Sequence, residues 1–310
     1  MTEAAERFAA DLAALVPPGV RIGVAVSGGP DSLALLLLAA AARPGAIEAA
    51  TVDHRLRPVS AADAAHVATI CAKLDIPHAT LTARWIDPPT ANLQARAREE
   101  RYALLTDWAR ERQLAAIATA HHADDQAETL LMRLARGSGI AGLGGARPSR
   151  PLIDAITLIR PLLTWRRAEL AEIVAAAGLI AIDDPANRDP RHDRARLRAM
   201  LADADWADPA RLAASASHLR EADEALEWIS ATLAETRLTR TNDGITLDAA
   251  DLPRELQRRL LLLAFDTPPR GPDLIRAIDA LSEGRTITLG TLKLEGGATW
   301  RITRAPPRAR

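Results

Sequence analysis

Residues 24–32 read Val-Ala-Val-Ser-Gly-Gly-Pro-Asp-Ser, and this stretch decides the fold. The apolar run before it predicts a buried strand, and the apolar residues from Leu33 to Ala42 after it predict a helix. Two glycines predict a tight turn between them, and Pro30 suits a first helical turn because its missing N–H would be unpaired there anyway. The free N–H groups and the dipole of a helix start make a site for anions. The sequence therefore predicts that a polyphosphate binds where the strand meets the helix.

This loop differs from the two common phosphate-binding loops. It has no lysine, as a Walker A loop requires, and it does not read Gly-x-Gly-x-x-Gly. It resembles the Ser-Gly-Gly-x-Asp-Ser loop of the N-type ATP pyrophosphatases, which cleave ATP between the α and β phosphates. That resemblance implies ATP as the ligand, bound by Ser27, Gly28, Gly29, Pro30, Asp31 and Ser32. The alternative is a strand-to-helix turn that favours glycine for its conformation alone.

Composition limits the class of protein. The chain has 310 residues, 48% of them apolar, which predicts two domains with a substantial core. No apolar run reaches the roughly 18 residues of a membrane span, and the acids near Met1 argue against a signal peptide. The single cysteine, Cys71, excludes an internal disulfide framework and a four-cysteine metal cluster. We therefore expect a cytoplasmic protein with no membrane partner.

Apolar runs alternate with helical patterns through residue 140. Strands are predicted at 20–26, 46–52, 76–82 and 115–120, and helices near 31–42, 61–74, 92–112 and 123–136. This alternation predicts an α/β fold with a doubly wound parallel sheet covered by helices on both faces. Ligands of such sheets bind beyond the carboxyl ends of the strands, so the segments after Ser27, Asp53 and Ala120 should line one crevice.

The C-terminal half follows a different pattern. A strand at 155–160 and a helix at 166–177 precede an irregular stretch from Asp183 to Asp193, and a long helix is predicted at about 208–236. Helices at about 253–264 and 271–282, with strands at 286–289, 291–294 and 298–303, then predict a smaller α+β unit. We expect a catalytic domain at 1–205, a helical linker at 206–240 and a small domain at 241–310. Residues 254–310 hold eleven Arg or Lys against six Asp or Glu, a balance that suits contact with RNA.

Asp31 would place a carboxylate beside a polyphosphate, which requires a cation between them. Mg²⁺ is the hard cation usually found on ATP, so Asp31 is predicted to be a metal ligand. The alternative is an acid at a helix N-terminus, where the helix dipole favours it by about 0.3–1 kcal/mol.

A second polar cluster spans Thr119–Thr129, after a predicted strand and at the start of a predicted helix. His121, Asp125 and Glu128 are three or four residues apart, so we expect them on one face of that helix. A histidine and two acids at the mouth of a crevice are costly unless they bind something. The alternatives are a metal pair and a helix cap supplied by Asp124.

Two further segments are rich in glycine or arginine. Residues 136–145 contain five glycines, which predict a flexible loop or a close approach of the backbone. Residues 188–198 contain five arginines, which form either a solvated face or a set of phosphate contacts.

Together these motifs resemble one family, the tRNA(Ile)-lysidine synthases. The matching segments are Ser27–Ser32, Val52–His54, Ala97–Tyr102, Thr119–Thr129, Arg133–Gly139 with Gly142-Leu143, Arg160–Leu163, and Asp184–Asn187 with Arg194 and Arg196. Their order and spacing follow the family over roughly residues 20–200, and the remainder matches in layout only, as in a short form without the third domain of longer members. Arg55, Ala146, Ala186 and Ala195 depart from the Gly, Met, Ser and Asn usual in the family.

The resemblance implies an ATP- and Mg²⁺-dependent ligation of free lysine to C2 of the wobble cytidine (position 34) in the CAU anticodon of tRNA(Ile). The base would first be adenylated, with loss of pyrophosphate, and lysine would then displace AMP. Asp53 and His54 would help bind the nucleotide, and Arg98 and Arg101 would neutralise its phosphates. Asp125, with His121 nearby, would hold or deprotonate the lysine ammonium, and Glu128 would pair with the same ammonium.

The resemblance also implies contacts with tRNA. These are assigned to Arg101, Arg133, Arg136, Gly137, Ser138, Gly139, Asn187, Arg194, Arg196 and Arg198. The small domain would hold the tRNA stem, and the resemblance suggests a homodimer.

Two other functions remain open. A tRNA thiolase of the same superfamily needs paired or clustered cysteines, which Cys71 alone does not supply. A non-catalytic nucleotide sensor would need neither the histidine–acid cluster nor a basic second domain.

Overall fold

The computed structural model describes residues 2–56, 59–83, 85, 93–153, 155–183, 191 and 193–305. They form two compact units, Met1–Arg220 and Glu221–Arg310. The predicted division into a catalytic domain, a linker and a tRNA-binding domain assigns functions to these parts and stays a prediction.

The first unit is built on a six-stranded sheet. Its strands are β1 (Ile22–Ala25), β2 (Ile47–Asp53), β3 (His78–Thr82), β4 (Ala116–Ala118), β5 (Ser149–Pro151) and β6 (Thr157–Ile159), in the order β3-β2-β1-β4-β6-β5. All neighbours pair in parallel except β5, which runs antiparallel to β6. The chain moves outward from β1 to β3 and then returns to the other side of β1 with β4. A crevice therefore opens at the carboxyl ends of β1 and β4.

Helices cover both faces of this sheet. The helices of this unit are α1 (Thr2–Ala13), α2 (Pro30–Ala42), α3 (Ser60–Lys73), α4 (Leu93–Glu111), α5 (Ala123–Ala135), the short α6 (Ile140–Leu143), α7 (Arg167–Ala176), α8 (Asp193–Ala202) and the start of α9 (Pro209–Arg237). The helices predicted near 31–42, 61–74, 92–112, 123–136 and 166–177 are confirmed, whereas α1, α8 and strand β5 were not predicted.

Strand β4 shows how the two faces are filled. Ala116 and Ala118 belong to the apolar core that includes Phe8 of α1, whereas Ile117 between them belongs to a second core with Trp108 of α4. Since successive side chains of a strand point to opposite faces, these two cores lie on the two sides of the sheet. The prediction of a doubly wound α/β sheet is confirmed.

The second unit is a separate α+β fold, as predicted. An antiparallel sheet has the order β7-β8-β11-β10-β9 and contains β7 (Leu238–Thr241), β8 (Gly244–Asp248), β9 (Thr286–Leu289), β10 (Leu292–Glu295) and β11 (Thr299–Arg304). Its core joins Trp300 to helices α10 (Arg254–Leu262) and α11 (Gly271–Ser282). No helix in the described part of the chain is both long enough and apolar enough to cross a membrane.

Candidate active site

The loop after β1 has the conformation that its sequence predicts. Helix α2 begins at Pro30, with Gly29 as its N-cap residue. The Ser32 hydroxyl closes the turn by donating to the Gly29 carbonyl at 2.9 Å and accepting the Ser27 N–H at 3.1 Å. Gly28 has φ +86°, which favours glycine.

The two glycines of this loop have different roles. A Cβ on Gly28 would lie 2.2 Å from the Ile182 side chain, so the space beside Gly28 is filled by protein. A Cβ on Gly29 would meet only the Ser27 hydroxyl, at 3.8 Å. The space beside Gly28 is therefore occupied by Ile182, while the space beside Gly29 is open to a phosphate.

Asp31 faces His122 across the crevice. His122 is fully buried, and its Nε2 lies 3.4 Å from Asp31 Oδ2 and 3.5 Å from Asp125 Oδ2. Its Nδ1 lies 3.6 Å from Asp124 Oδ2, and Arg167 Nη2 lies 3.4 Å from Nε2. Burial alone would lower the pKa of His122, but contacts with Asp124, Asp31 and Asp125 raise that pKa to about 9. His122 is thus a buried cation that joins the loop after β1 to the start of α5.

His121 lies in the opposite electrostatic environment. The prediction that it shares a helix face with Asp125 and Glu128 is wrong, because α5 begins at Ala123. His121 Nδ1 lies 3.1 Å from the Thr119 hydroxyl. Burial and the nearby guanidinium groups of Arg160, Arg101, Arg98 and Arg194 lower the pKa of His121 to about 2. His121 is therefore a neutral imidazole, too weakly basic to deprotonate an ammonium in this form of the protein.

Asp124 and Asp125 each accept a backbone N–H group, from different helices. Asp125, not Asp124, caps α5, because its Oδ2 accepts the backbone N–H of His122 at 3.2 Å. Asp124 Oδ2 instead accepts the N–H of Arg167 at 2.9 Å, at the start of α7. Burial would raise the pKa of Asp124, but its bonds to His122, Arg167 and Arg166 lower it.

Glu128 is the most deeply buried of the predicted catalytic acids, at 1% exposure. The guanidinium group of Arg198 on α8 makes a bidentate interaction with this carboxylate: Nε lies 2.8 Å from Oε1 and Nη2 lies 3.4 Å from Oε2. Arg167 Nη2 lies 3.6 Å from the same carboxylate. The predictions that Glu128 pairs with a lysine ammonium and that Arg198 contacts tRNA stay predictions, and in this structure the two side chains bind each other.

The glycine-rich segment is held against α5. Gln126 donates to the Ala146 carbonyl at 3.1 Å and accepts the Ala146 N–H at 2.8 Å. Arg133 donates to the Gly142 carbonyl and so supports this loop, while its predicted contact with tRNA stays a prediction. Gly145 has φ +71°, and a Cβ there would lie 2.8 Å from Gln126. Of the two readings of this segment, close approach of the backbone is correct.

Asp53 and His54 lie where β2 ends. Asp53 Oδ1 accepts the N–H of Arg55 at 2.8 Å, and a hydrogen bond from Ser60 lowers its pKa. Burial, and then the charge of Arg101, lower the pKa of His54. Arg55 has φ +52°, a conformation that favours glycine and so gives a physical reason for the glycine usual in the family at this position.

The remaining predicted tRNA contacts form a mixed set. Arg136 and Arg196 each bind Asp193, and Arg194 donates to the Thr129 hydroxyl at 3.4 Å. Gly137 has φ +69° and Gly139 is the N-cap residue of α6, so Gly137, Ser138 and Gly139 form the turn between α5 and α6. Asn187 lies outside the described residues.

Sequence reasoning missed several residues of this site. Arginine side chains surround the Tyr102 ring: the guanidinium carbons of Arg98 and Arg150 each lie 5.0 Å from the ring centroid, and that of Arg101 lies 5.3 Å away. Tyr102, His122 and Gln126 lie within motifs quoted above, so their place in those motifs could have identified them as site residues. Nothing in the sequence identified Arg150. Among the described residues, no group of three or more His, Cys, Asp or Glu side chains is arranged to hold a metal ion.

Comparisons with known proteins agree with this geometry. The chain matches the model of a PP-loop domain, an ATP-binding family, over residues 2–204. A solved U34-tRNA thiolase from Methanococcus maripaludis has the same fold, with a TM-score of 0.59 and 17% identity, covering 73% of this chain and 79% of that one. That likeness shows the fold alone.

Two relatives match nearly the whole chain. A tRNA(Ile)-lysidine synthase of Novosphingobium aromaticivorans is 48% identical, covering 99% of this chain and 95% of that protein. Another, from Zymomonas mobilis subsp. mobilis, is 43% identical, covering 94% of this chain and 91% of that protein. Because the likeness extends through both structural units, the chain belongs to the tRNA(Ile)-lysidine synthase family.

Proposed function

We propose that this protein ligates free L-lysine to C2 of the wobble cytidine in the CAU anticodon of tRNA(Ile), at the cost of ATP. The cytidine C2 oxygen attacks the α-phosphate of ATP and pyrophosphate leaves. The ε-amine of lysine then attacks C2, and AMP departs with the oxygen. The names of the relatives that match the chain support this assignment.

The observation that carries the proposal is the meeting of two loops at the carboxyl ends of β1 and β4. His122 joins them, because its Nε2 lies 3.4 Å from Asp31, in the first turn of α2 directly after the first loop, and 3.5 Å from Asp125 on α5. A nucleotide on the first loop would thus lie beside the acids of α5, and His121, next to His122 in the chain, brings its arginine neighbours to the same segment. One crevice then offers cations for phosphates and carboxylates for an amine.

Asp31 is the proposed Mg²⁺ ligand. Its Oδ1 is buried and has no hydrogen-bond partner among the described residues, while its Oδ2 faces His122. A carboxylate oxygen of this kind fits Mg²⁺, which commonly binds one or two carboxylates together with substrate phosphates. The ion would neutralise charge between Asp31 and the phosphates.

Asp125 is the proposed acceptor of the lysine ammonium. One of its oxygens is tied to the His122 backbone, which fixes the carboxylate at the mouth of the crevice. Glu128 does not share this role unless lysine displaces Arg198 from its two hydrogen bonds with the Glu128 carboxylate. We assign neutral His121 to hydrogen bonding rather than to proton removal, because its surroundings hold its pKa at about 2.

The second unit is proposed to hold the tRNA stem. Along β11, Trp300 and Ile302 are buried, whereas Thr299 and Arg301 between them are exposed. A sheet face with hydroxyl and guanidinium donors suits a phosphate backbone. The nature of the substrate places the proposed activity in the cytoplasm, and a homodimer stays a prediction that sedimentation would test.

The test of the function measures AMP released from radiolabelled ATP in the presence of lysine and an unmodified isoleucine tRNA with a CAU anticodon. Omission of either substrate should abolish AMP release, and labelled lysine should enter the tRNA. AMP without lysine incorporation would reject the lysidine assignment and indicate another nucleophile. A thiolase is disfavoured, because Cys71 is the single cysteine and burial raises its pKa to about 11.

The same assay separates the two half-reactions. Asp125→Ala should still form adenylated tRNA in the absence of lysine, but lysine incorporation should fall by about two orders of magnitude, since the amine loses its acceptor. Loss of the adenylation step in this variant would move Asp125 to the nucleotide site.

A further inference from the structure

Three separate elements bring arginines to one aromatic ring in the first unit. Tyr102 and two of the arginines, Arg98 and Arg101, lie on α4, and Arg150 lies on the edge strand β5. Their guanidinium carbons lie 5.0–5.3 Å from the ring centroid. Arg160, which directly follows β6, interacts electrostatically with Tyr102 and is only 5% exposed.

The register of the sheet explains why Arg150 reaches this ring. Arg150 is paired with Leu158 of β6 across the β5–β6 ladder. Leu158 belongs to the apolar core under α4, so both side chains project to the face that α4 covers. The antiparallel edge strand β5 therefore places the guanidinium group of Arg150 on the same face of the sheet as α4.

These four arginines lack carboxylate partners. None of them forms an ion pair with an acid of the described residues, although most other arginines of this unit do. Burial and the neighbouring charges of Arg150 and Arg98 lower the pKa of Arg160. Burial would raise the pKa of the Tyr102 phenol, but Arg101 and Arg98 lower it. The cations repel one another, and the ring offsets only part of that repulsion.

Buried polar atoms in the same place also lack partners. Arg101 Nε, Arg160 Nε and the Tyr102 hydroxyl are buried and have no hydrogen-bond partner among the described residues. Such groups are costly unless a ligand satisfies them. An anion with several acceptor oxygens would satisfy both the charges and these donors, as forked arginine contacts do with phosphate.

We propose that Arg98, Arg101, Arg150 and Arg160 around Tyr102 form a phosphate-binding pocket, the arginine pocket, and that Arg150 is a substrate-binding residue of it. The inference rests on the proposed function, and it extends that function by adding Arg150, Arg160 and Tyr102 to the site. The ligand is a phosphate group, either of ATP or of the tRNA backbone near the anticodon.

The test measures binding to the full-length protein in two separate arms. One arm measures the dissociation constant of ATP with Mg²⁺ in the absence of tRNA. The other measures the dissociation constant of unmodified isoleucine tRNA in the absence of ATP, between about 50 and 200 mM salt. The variant is Arg150→Gln, and the matched control is Arg110→Gln, which removes an exposed charge from the last turn of α4.

Arg150→Gln should weaken binding about tenfold in at least one arm. A loss for ATP alone assigns the pocket to the nucleotide, and a loss for tRNA alone assigns it to the RNA. In the second case the slope of log K against log salt should also fall by about 0.7–0.9. Affinities within twofold of those of Arg110→Gln in both arms would overturn the proposal.

A second variant separates charge from packing. Arg150→Lys keeps the charge and should recover most of the affinity, because a lysine still attracts phosphate as a point charge. A loss equal to that of Arg150→Gln would reject phosphate binding in favour of a packing role. If the wild-type protein makes no lysidine while Arg150→Gln still weakens binding, the proposed function fails and the arginine pocket stands.

Discussion

His121 and His122 are adjacent in the chain, yet they lie in opposite electrostatic regions of one crevice. On the arginine side, His121 is held neutral among Arg98, Arg101, Arg160 and Arg194. On the carboxylate side, His122 is held as a cation by Asp31, Asp124 and Asp125.

The two adjacent histidines show that one short segment contributes to regions of opposite charge. His121 and His122 follow β4, which ends at Ala118, and they have different charged neighbours. Helix α8 is divided in the same way, since Arg194 acts on His121 and Arg198 pairs with Glu128 four residues later. Phosphates suit the first region and an ammonium group suits the second.

The largest expected effect comes from removing the carboxylate nearest the nucleotide loop. Asp31→Ala should reduce the rate of tRNA adenylation at least about a thousandfold, or about 4 kcal/mol, because the proposed Mg²⁺ loses its protein ligand. Filter binding should show tRNA affinity nearly unchanged, since the proposed contacts to RNA are elsewhere. Adenylation at the wild-type rate would reject the metal role.

The next largest effect tests whether the stability of the cluster of Asp31, Asp124 and Asp125 depends on the cation His122. His122→Ala should lower the free energy of unfolding by about 3 kcal/mol, because Asp31 and Asp125 lose the buried cation that lies between them. Urea unfolding measures the loss. His121→Ala is the matched control and should cost clearly less, so equal losses would break the distinction between the two histidines.

A pH series tests the arginine side. In the unfolded chain His121 takes up a proton near pH 6.5, but in the folded protein it stays neutral down to about pH 2. The unfolded state therefore binds more protons, and stability falls as the pH drops below about 6.5, by up to about 1.4 kcal/mol per pH unit.

His121→Asn removes this contribution. Between pH 6.5 and pH 5.5, the free energy of unfolding of the variant should fall by about 1 kcal/mol less than that of the wild type, as measured by urea unfolding at both pH values. Identical slopes for the two proteins would mean that His121 protonates normally in the folded state.

The smallest effect tests whether Arg194 and Arg198 of α8 interact with different groups. A double-mutant cycle with Arg198→Met and Glu128→Gln should give a coupling energy of about 1 kcal/mol in thermal or urea unfolding. The same cycle with Arg194→Met should give a value near zero, because Arg194 lies on the arginine side. Equal couplings would contradict the separation of the two regions.

Much of the fold followed from the sequence, and the failures have physical reasons. The alternation of apolar runs and helical patterns predicted β1 to β4 and the helices between them. Strand β5 was missed because it has three residues and includes Pro151, which fits only an edge strand. Helix α8 was missed because its arginines masked a helical pattern, and it buries no residue completely.

The candidate site shows a sharper division. The strand, turn and helix around Ser27–Ser32 and the polar segment after β4 could be predicted from the sequence alone. Helix and strand propensities and the spacing of apolar residues depend on residues that are close together in the chain. Only the tertiary structure decided that His122 rather than His121 faces Asp31, that Arg198 neutralises Glu128, and that Arg150 joins Tyr102. Those partners are distant in the chain, and the charge state of each group depends on which burial and which neighbours the packed fold gives it.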